Sequence, residues 1–263
     1  MNQVRYVYDV QFELIGTDGL IFEEEFEFGD FKLKSDKEKK IIGMTVIELN
    51  SEDHKLAREV AISKIQKELI PILILSSPNA GYAISNVSIN LRPIVKKEEG
   101  AIFIQLADSI TLSDELHIHC IITKENIETY VKKFESYWDK IERLSEEGRR
   151  DFLRAVKFWN RGANDADKID KFINFFIAFE ILGKSLVGDK EGWINEVCKK
   201  CELKNSYDGY PLSQIRASLL HAANKRLTKE KAEELVEKYV DFFGGDVVKL
   251  MKEYLKIKSG DNS

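Results

Sequence analysis

Cysteine and histidine are scarce in this 263-residue chain, which holds three of the first and four of the second. Three cysteines, an odd number, do not make a disulfide framework, and a reducing, cytoplasmic setting is expected. Long apolar runs are missing as well. The most apolar stretches, "LIPILIL" and "FINFFIAFEIL", are too short to span a bilayer, and the second carries Asn174 and Glu180. No membrane association is expected. The first residues, "MNQVRYVYDV", lack the basic start, apolar core and small-residue cleavage site of a secretory leader. There is no excess of positive charge: the formal net charge is -5, which argues against nucleic-acid binding over the whole surface but leaves room for a local basic site. Nucleotide-loop, dinucleotide, serine-hydrolase and zinc-protease motifs are absent, as are internal repeats and low-complexity tracts.

What is present supports packed cores, with 43% hydrophobic and 10% aromatic residues. The hydrophobic period changes along the chain, and an α+β fold is predicted: a mixed strand/helix domain over residues 1–125 and an all-α helical bundle over 126–263. In the first part, "VRYVYDVQFELIG" alternates with polar Asp9, Gln11 and Glu13. After "TDG", "LIFEEEFEFG" interleaves phenylalanines with glutamates, so the two runs predict a hairpin. "KKIIGMTVIELN", "AGYAISNVSINLRPIV", "AIFIQLADSITL" and "ELHIHCIIT" read as further strands. One helix is expected over "SEDHKLAREVAISKIQKELI", with Leu56, Val60, Ile65 and Leu69 near one stripe, Ser51 or Asn50 as N-cap, and Pro71 closing it.

The second part predicts a series of helices. "RRDFLRAVKFWNRGAN" places Phe152, Val156 and Trp159 on one face with Gly162 as a stop, and "DKIDKFINFFIAFEILGKSL" is a long buried helix. Shorter helices follow at "EGWINEVCKKCEL" and "PLSQIRASLLHAAN". The last, "TKEKAEELVEKYVDFFGGDVVKLMKEYLKI", is expected to break or kink at Gly244-Gly245. Charge divides in the same way: residues 1–125 carry a net of -7 and the remainder +2. An anionic partner is therefore expected at the helical part.

The residues most suited to chemistry lie in "QIRASLLHAANKR". Arg216 offers a planar fork of donors that matches a phosphate, and His221 titrates near neutrality. Such a pair suits metal-free phosphodiester cleavage in RNA: one group moves the protons of the 2′-hydroxyl and the 5′-oxygen, and the other stabilises charge on the phosphorus oxygens. On a regular helix the two side chains stand roughly 140° apart with about 7.5 Å of rise, so a two-fold dimer is expected to complete the cleft. Glu180 falls on the apolar stripe of its helix and needs a cation; Lys184, one turn on, and Arg216 are the candidates. Lys225 and Arg226 are placed to contact phosphate or to complement a helix C-terminus.

Taken together, "FLRAVKFWNRG", then "DKIDKFINFFIAFEIL" with its Ala-Phe-Glu core, then "IRASLLHAA" with R-x-x-x-x-H, resemble the HEPN superfamily, and most its Apea-like branch. The resemblance covers roughly residues 146–255. It implies a helical bundle that dimerises and acts as a metal-independent endoribonuclease in defence, toxin–antitoxin or stress systems, with Arg216 and His221 as the catalytic pair and no cofactor. It implies as an alternative a non-catalytic module that binds RNA or a protein partner, regulated through residues 1–125, which lie outside the resemblance and are read as a sensor or partner-binding domain. The residue after the motif arginine, commonly asparagine in active members, is Ala217 here.

Other constellations are weaker. Cys198 and Cys201 in "CKKC" have a metal-like spacing without a second pair, and His117, His119 and Cys120 in "HIHC" fit ordinary strand residues better than a shared zinc site. No metal is expected. Tyr8, Phe12, Phe22 and Phe28 have the spacing of a strand's buried face rather than of a base-stacking platform.

Overall fold

A computed structural model of the chain describes residues 5–16, 19–77, 80–92, 120–220 and 227–260. The fold is α+β. Strand β1 (Tyr6–Gly16) alternates as its sequence dictates, burying Tyr8, Val10, Phe12 and Leu14 and turning Asp9 and Gln11 to solvent. It does not form a hairpin with the run that follows. Instead it pairs antiparallel on one side with β5 (Ile41–Leu49) and on the other with β6 (Tyr82–Leu91). The acidic run Glu23–Glu25 divides the expected second strand into β2 (Leu20–Phe22) and β3 (Phe26–Phe28). Three adjacent carboxylates repel one another and favour a solvated bend. The pieces then find different partners: β3 pairs with β4 (Phe31–Ser35), and β2 pairs in parallel with β7 (Cys120–Ile122). The main sheet has the order β3-β4-β5-β1-β6, with β6 at one edge. Gly43 faces Phe12 across the β1–β5 ladder, and a Cβ there would collide with the Phe12 ring.

Helix α1 (His54–Lys64) is capped by Asp53, whose side chain accepts from the Leu56 amide, so the cap lies two residues beyond Ser51. Its buried face is Ala57 and Ala61, continued by Ile65 and Leu69, while Leu56 is 40% exposed. Small residues let the helix approach the sheet closely. Pro71 does not end the helix. A π-helical turn over Ile65–Leu69 shifts the hydrogen-bond register, and the chain continues as α2 (Ile70–Ser76) with Pro71 in its first turn, where an amide hydrogen is not required. Helix α2 is buried along its length.

The remaining described helices are α3 (Ile127–Glu142), α4 (Glu146–Ala163), α5 (Lys168–Val187), α6 (Trp193–Lys200), α7 (Leu212–Leu220) and α8 (Lys229–Lys258). Helix α5 is the centre of this group, packing against α4, α6, α7 and α8. Its Phe172, Phe176 and Phe179 surround Phe243 of α8, with ring centroids 5.1, 6.3 and 5.8 Å away. Two glycines, one expected to stop a helix and one to break or kink another, serve contact; α4 does end one residue after Gly162. Gly162 lies inside α4, where a Cβ would meet the Lys171 carbonyl oxygen at 2.9 Å. Helix α8 runs unbroken through Gly244, whose missing side chain admits Phe175 and whose carbonyl accepts from Trp159 Nε1 at 2.9 Å. Cys198 and Cys201 are both buried.

The strand-bearing and helical parts share one continuous core. Phe134 of α3 packs edge-on against Phe26 and Phe28 of β3. The Asn160 side-chain amide of α4 makes a matched pair of bonds to the Tyr82 backbone of β6, accepting from its N–H and donating to its carbonyl, each at 2.7 Å. No helix among the described residues is long and apolar enough to cross a membrane. The expected strand "AIFIQLADSITL", residues His117, His119, His221, Lys225 and Arg226, and the last three residues of the chain lie outside the described residues.

Candidate functional site

Helix α7 carries Arg216 and is aimed by the turn before it. Residues Ser206–Tyr207 and Tyr210–Pro211 form a two-stranded hairpin, β8–β9, around Asp208-Gly209. Both turn residues have positive φ, 48° and 82°, which an Asp-Gly pair tolerates and a hairpin twist favours. The hairpin is tied to α8: Tyr239 Oη donates to Asp208 at 2.6 Å, Lys238 adds an ion pair at 3.3 Å, and Tyr207 stacks on Tyr239 with centroids 4.8 Å apart. The Tyr239 hydrogen bond, helped by Lys238, holds the Asp208 carboxyl below the usual aspartate range. At the other end of α7, buried Ser218 donates its hydroxyl to the Leu227 carbonyl at 3.0 Å, so the helix is anchored to the segment that opens α8.

Arg216 meets α5. Its guanidinium carbon lies 4.9 Å from the centroid of the Phe176 ring, and Nη2 is 3.6 Å from Glu180 Oε2. Phe176 and Glu180 are four residues apart on α5 and so stand on one face. The same carboxylate takes Lys184 Nζ at 2.9 Å, and Lys184 also reaches Asp189 at 3.0 Å and the Trp193 ring at 5.9 Å. Hydrogen bonds to Glu180 and then Asp189 push the Lys184 ammonium above its ordinary pKa. Both partners expected for Glu180 are therefore present, the local one in closer contact.

The arrangement leaves Arg216 oriented but not saturated. Its side chain is 38% exposed, and its one ion pair among the described residues is long. Its Nε is buried and has no hydrogen-bond partner among the described residues. An unsatisfied buried donor costs about 1–3 kcal/mol, and because Nε is sealed from solvent it is the exposed part of the side chain that an oxyanion can reach. A guanidinium stacked on an aromatic ring, braced by a carboxylate and left with free donors is prepared to bind an oxyanion in a fixed direction. Ala217, the next residue, contributes no polar group.

His221 follows the last residue of α7 and, with Lys225 and Arg226, lies outside the described residues, so the structure places only the Arg216, Glu180 and Lys184 members of the expected set. Two contributors were not read from the sequence. Phe176 fits the apolar stripe of α5 by spacing, although its position one turn before Glu180 also places its ring beside any cation that Glu180 binds. The "YDGY" turn that aims α7 is a strong hairpin signal inside a helical region.

Cys198 is buried and already partnered. Its thiol donates to the Lys204 carbonyl at 3.5 Å, and burial, with nearby Asp246 and Cys201, pushes its pKa up to about 12. No cluster of His, Cys, Asp or Glu among the described residues is arranged to hold a metal. Tyr8, Phe12, Phe22 and Phe28 are buried, as a strand's inner face requires. Comparison with protein-family models, with curated proteins and with solved structures finds no match to this chain.

Proposed function

We propose that the helical part is a HEPN-like module that acts on RNA, as a metal-independent endoribonuclease in which Arg216 and His221 form the catalytic pair. The observation that carries this reading is the Arg216 guanidinium, held between Phe176 and Glu180 with its side chain 38% exposed. In the reaction the RNA 2′-oxygen attacks the adjacent phosphorus and the bond to the 5′-oxygen breaks. His221 moves the proton lost by the 2′-hydroxyl or gained by the 5′-oxygen, and Arg216 neutralises charge on the non-bridging oxygens. Glu180 positions Arg216, and Lys184 braces Glu180 from one turn along the same helix. Lys225 and Arg226 add cations for the flanking backbone. A homodimer through the helical part would bring a second Arg216 and His221 to the cleft. Leu220 and Phe242, 49% and 67% exposed on α7 and α8, are apolar side chains available to such a contact.

Ala217 favours a second reading, in which the same site binds RNA or a protein partner without cleaving. One experiment separates the two. The protein is incubated with mixed RNAs in EDTA beside its His221→Ala variant. Cleavage that resists EDTA and is lost in the variant supports the nuclease. Intact RNA with wild-type protein that still retards it in a gel supports the binding module.

A further inference from the structure

Two surface cavities differ in how their charges are balanced. One, about 770 Å³ between α1 and the β4–β5 edge, is lined by acids and lysines that pair with each other, Lys64 with Asp30 and Lys32 with Glu27. The other, about 670 Å³, lies between α1 with its π-helical turn, the edge strand β6 and α4. Five cations line it, Arg58, Lys67, Arg154, Lys157 and Arg161, and no carboxylate is among its described lining residues. None of the five has an ion-pair partner among the described residues, in a molecule whose net charge is -5. Arg154, Lys157 and Arg161 recur every three or four residues, so α4 presents them on one face. A β-bulge at Ser85, between the Glu13–Asn86 and Leu14–Ile84 pairs, re-aims β6 where it borders the cavity. Glu13 bonds to Ser85 at 3.4 Å from strand β1 and is not part of the lining. Between the cations the wall is mixed, with Ile62, Ile70, Ile84 and Leu153 beside the polar Gln66, Ser85 and Asn86.

Like charges gathered without counterions repel one another, and a polyanion removes that repulsion. The volume falls within the roughly 300–1,000 Å³ range of small-molecule sites. Five cations exceed what one phosphate needs, and the aliphatic and amide side chains between them suit a base better than an inorganic ion. We infer that this cavity binds a nucleoside polyphosphate, with its phosphates on Arg154, Lys157, Arg161 and Arg58 and its base against Ile84 and Leu153. The site is separate from the Arg216 cluster and shares no residue with it. It draws cations from both parts of the chain, Arg58 and Lys67 before residue 126 and the other three after it. A ligand there ties the β6 edge to α4 beyond the Asn160–Tyr82 bonds and gives the first part of the chain a way to sense a small molecule.

The test is calorimetric titration of the full chain with ATP, GTP, adenosine, inorganic triphosphate and a single-stranded RNA oligonucleotide. The variants are Arg154→Glu with Lys157→Glu, both exposed, and Lys124→Glu as an exposed control outside the cavity. ATP or GTP is expected to bind one per chain and to raise the melting temperature. The double charge reversal should weaken binding at least about tenfold, the loss expected for one charged hydrogen bond, and Lys124→Glu should leave it unchanged. Adenosine and triphosphate alone should each bind at least about tenfold more weakly than ATP, since each lacks one half of the recognition. The inference is overturned if neither nucleotide binds, if charge reversal leaves affinity intact in a variant with wild-type circular dichroism, if triphosphate matches ATP, or if the oligonucleotide binds here and nucleotides do not compete.

Discussion

Replacing Glu180 with Gln tests how Arg216 is held. The substitution keeps the side chain's shape and removes the charge that Lys184 and Arg216 share at 2.9 and 3.6 Å. The magnitude follows from exposure. Glu180 and Arg216 side chains are 28% and 38% exposed, so the pair belongs with partly solvated ion pairs. Such pairs contribute about 0.2–1 kcal/mol, whereas breaking a fully buried one costs about 3–5 kcal/mol. Lys184 retains Asp189 at 3.0 Å, and Arg216 retains the Phe176 ring. Glu180→Gln should therefore lower stability by about 1 kcal/mol, with a coupling of about 0.5 kcal/mol to Arg216→Met in a double-mutant cycle. Urea unfolding at 25 °C measures all four corners. In the nuclease reading, Glu180→Gln should also reduce RNA cleavage less than Arg216→Ala, because the aromatic platform still holds the guanidinium. A loss of about 3 kcal/mol or more would refute the reasoning: the cluster would then be a buried structural tie rather than a braced, accessible arginine.

Adjacent glycines in α8 should respond with opposite signs. Gly245→Ala meets nothing within 4 Å and should stabilise, by about 0.5–1 kcal/mol from helix propensity. Gly244→Ala puts a Cβ 2.6 Å from the Phe175 ring, which is itself stacked on Trp159, and should destabilise; overpacking of about 1–3 kcal/mol exceeds the propensity gain, and thermal unfolding of the two variants checks the ordering. In a Cys120→Ser background, Cys198 and Cys201 should not react with Ellman's reagent at pH 8 in the folded protein and should both react in denaturant, since burial holds both thiols protonated. Asp246 is raised by burial, against a lowering hydrogen bond from Tyr207, so its folded form keeps a proton that the unfolded form has lost. Stability should fall as pH rises from the ordinary aspartate range through the raised value, and Asp246→Asn should remove that part of the slope in urea titrations at several pH values.

The parts of the fold that were legible are those governed by local period. Strand β1, the buried α5 and the amphipathic α4 follow directly from alternation or from helical spacing. What misled were single residues whose meaning depends on a partner elsewhere. Pro71 is a helix breaker only while the register is α-helical, and the π-turn before it removes the conflict. Gly162 and Gly244 look like interruptions, but each exists because Lys171 or Phe175 approaches the helix backbone. The hairpin between β1 and β2 failed because β1 has stronger partners in β5 and β6, a fact of sheet order that no local pattern carries. In the site, the Glu180–Lys184 spacing was readable along one helix, and the Arg216 contact was expected from charge balance alone. The cationic cavity was half visible as the Arg154, Lys157 and Arg161 repeat. Its other half, Arg58 and Lys67, comes from a helix that only the fold brings alongside.

In the proposed reaction Arg216 and His221 direct phosphoryl transfer to the RNA 2′-oxygen without metal. The measurement that addresses it most directly is the chemistry of the product ends from RNA incubated in EDTA with wild-type protein. The expected products carry 2′,3′-cyclic phosphate and 5′-hydroxyl ends, a substrate with 2′-deoxyribose at the scission site is not cleaved, and the products are lost in Arg216→Ala and His221→Ala. Products with 3′-hydroxyl and 5′-phosphate ends, or cleavage that survives both substitutions, would contradict it.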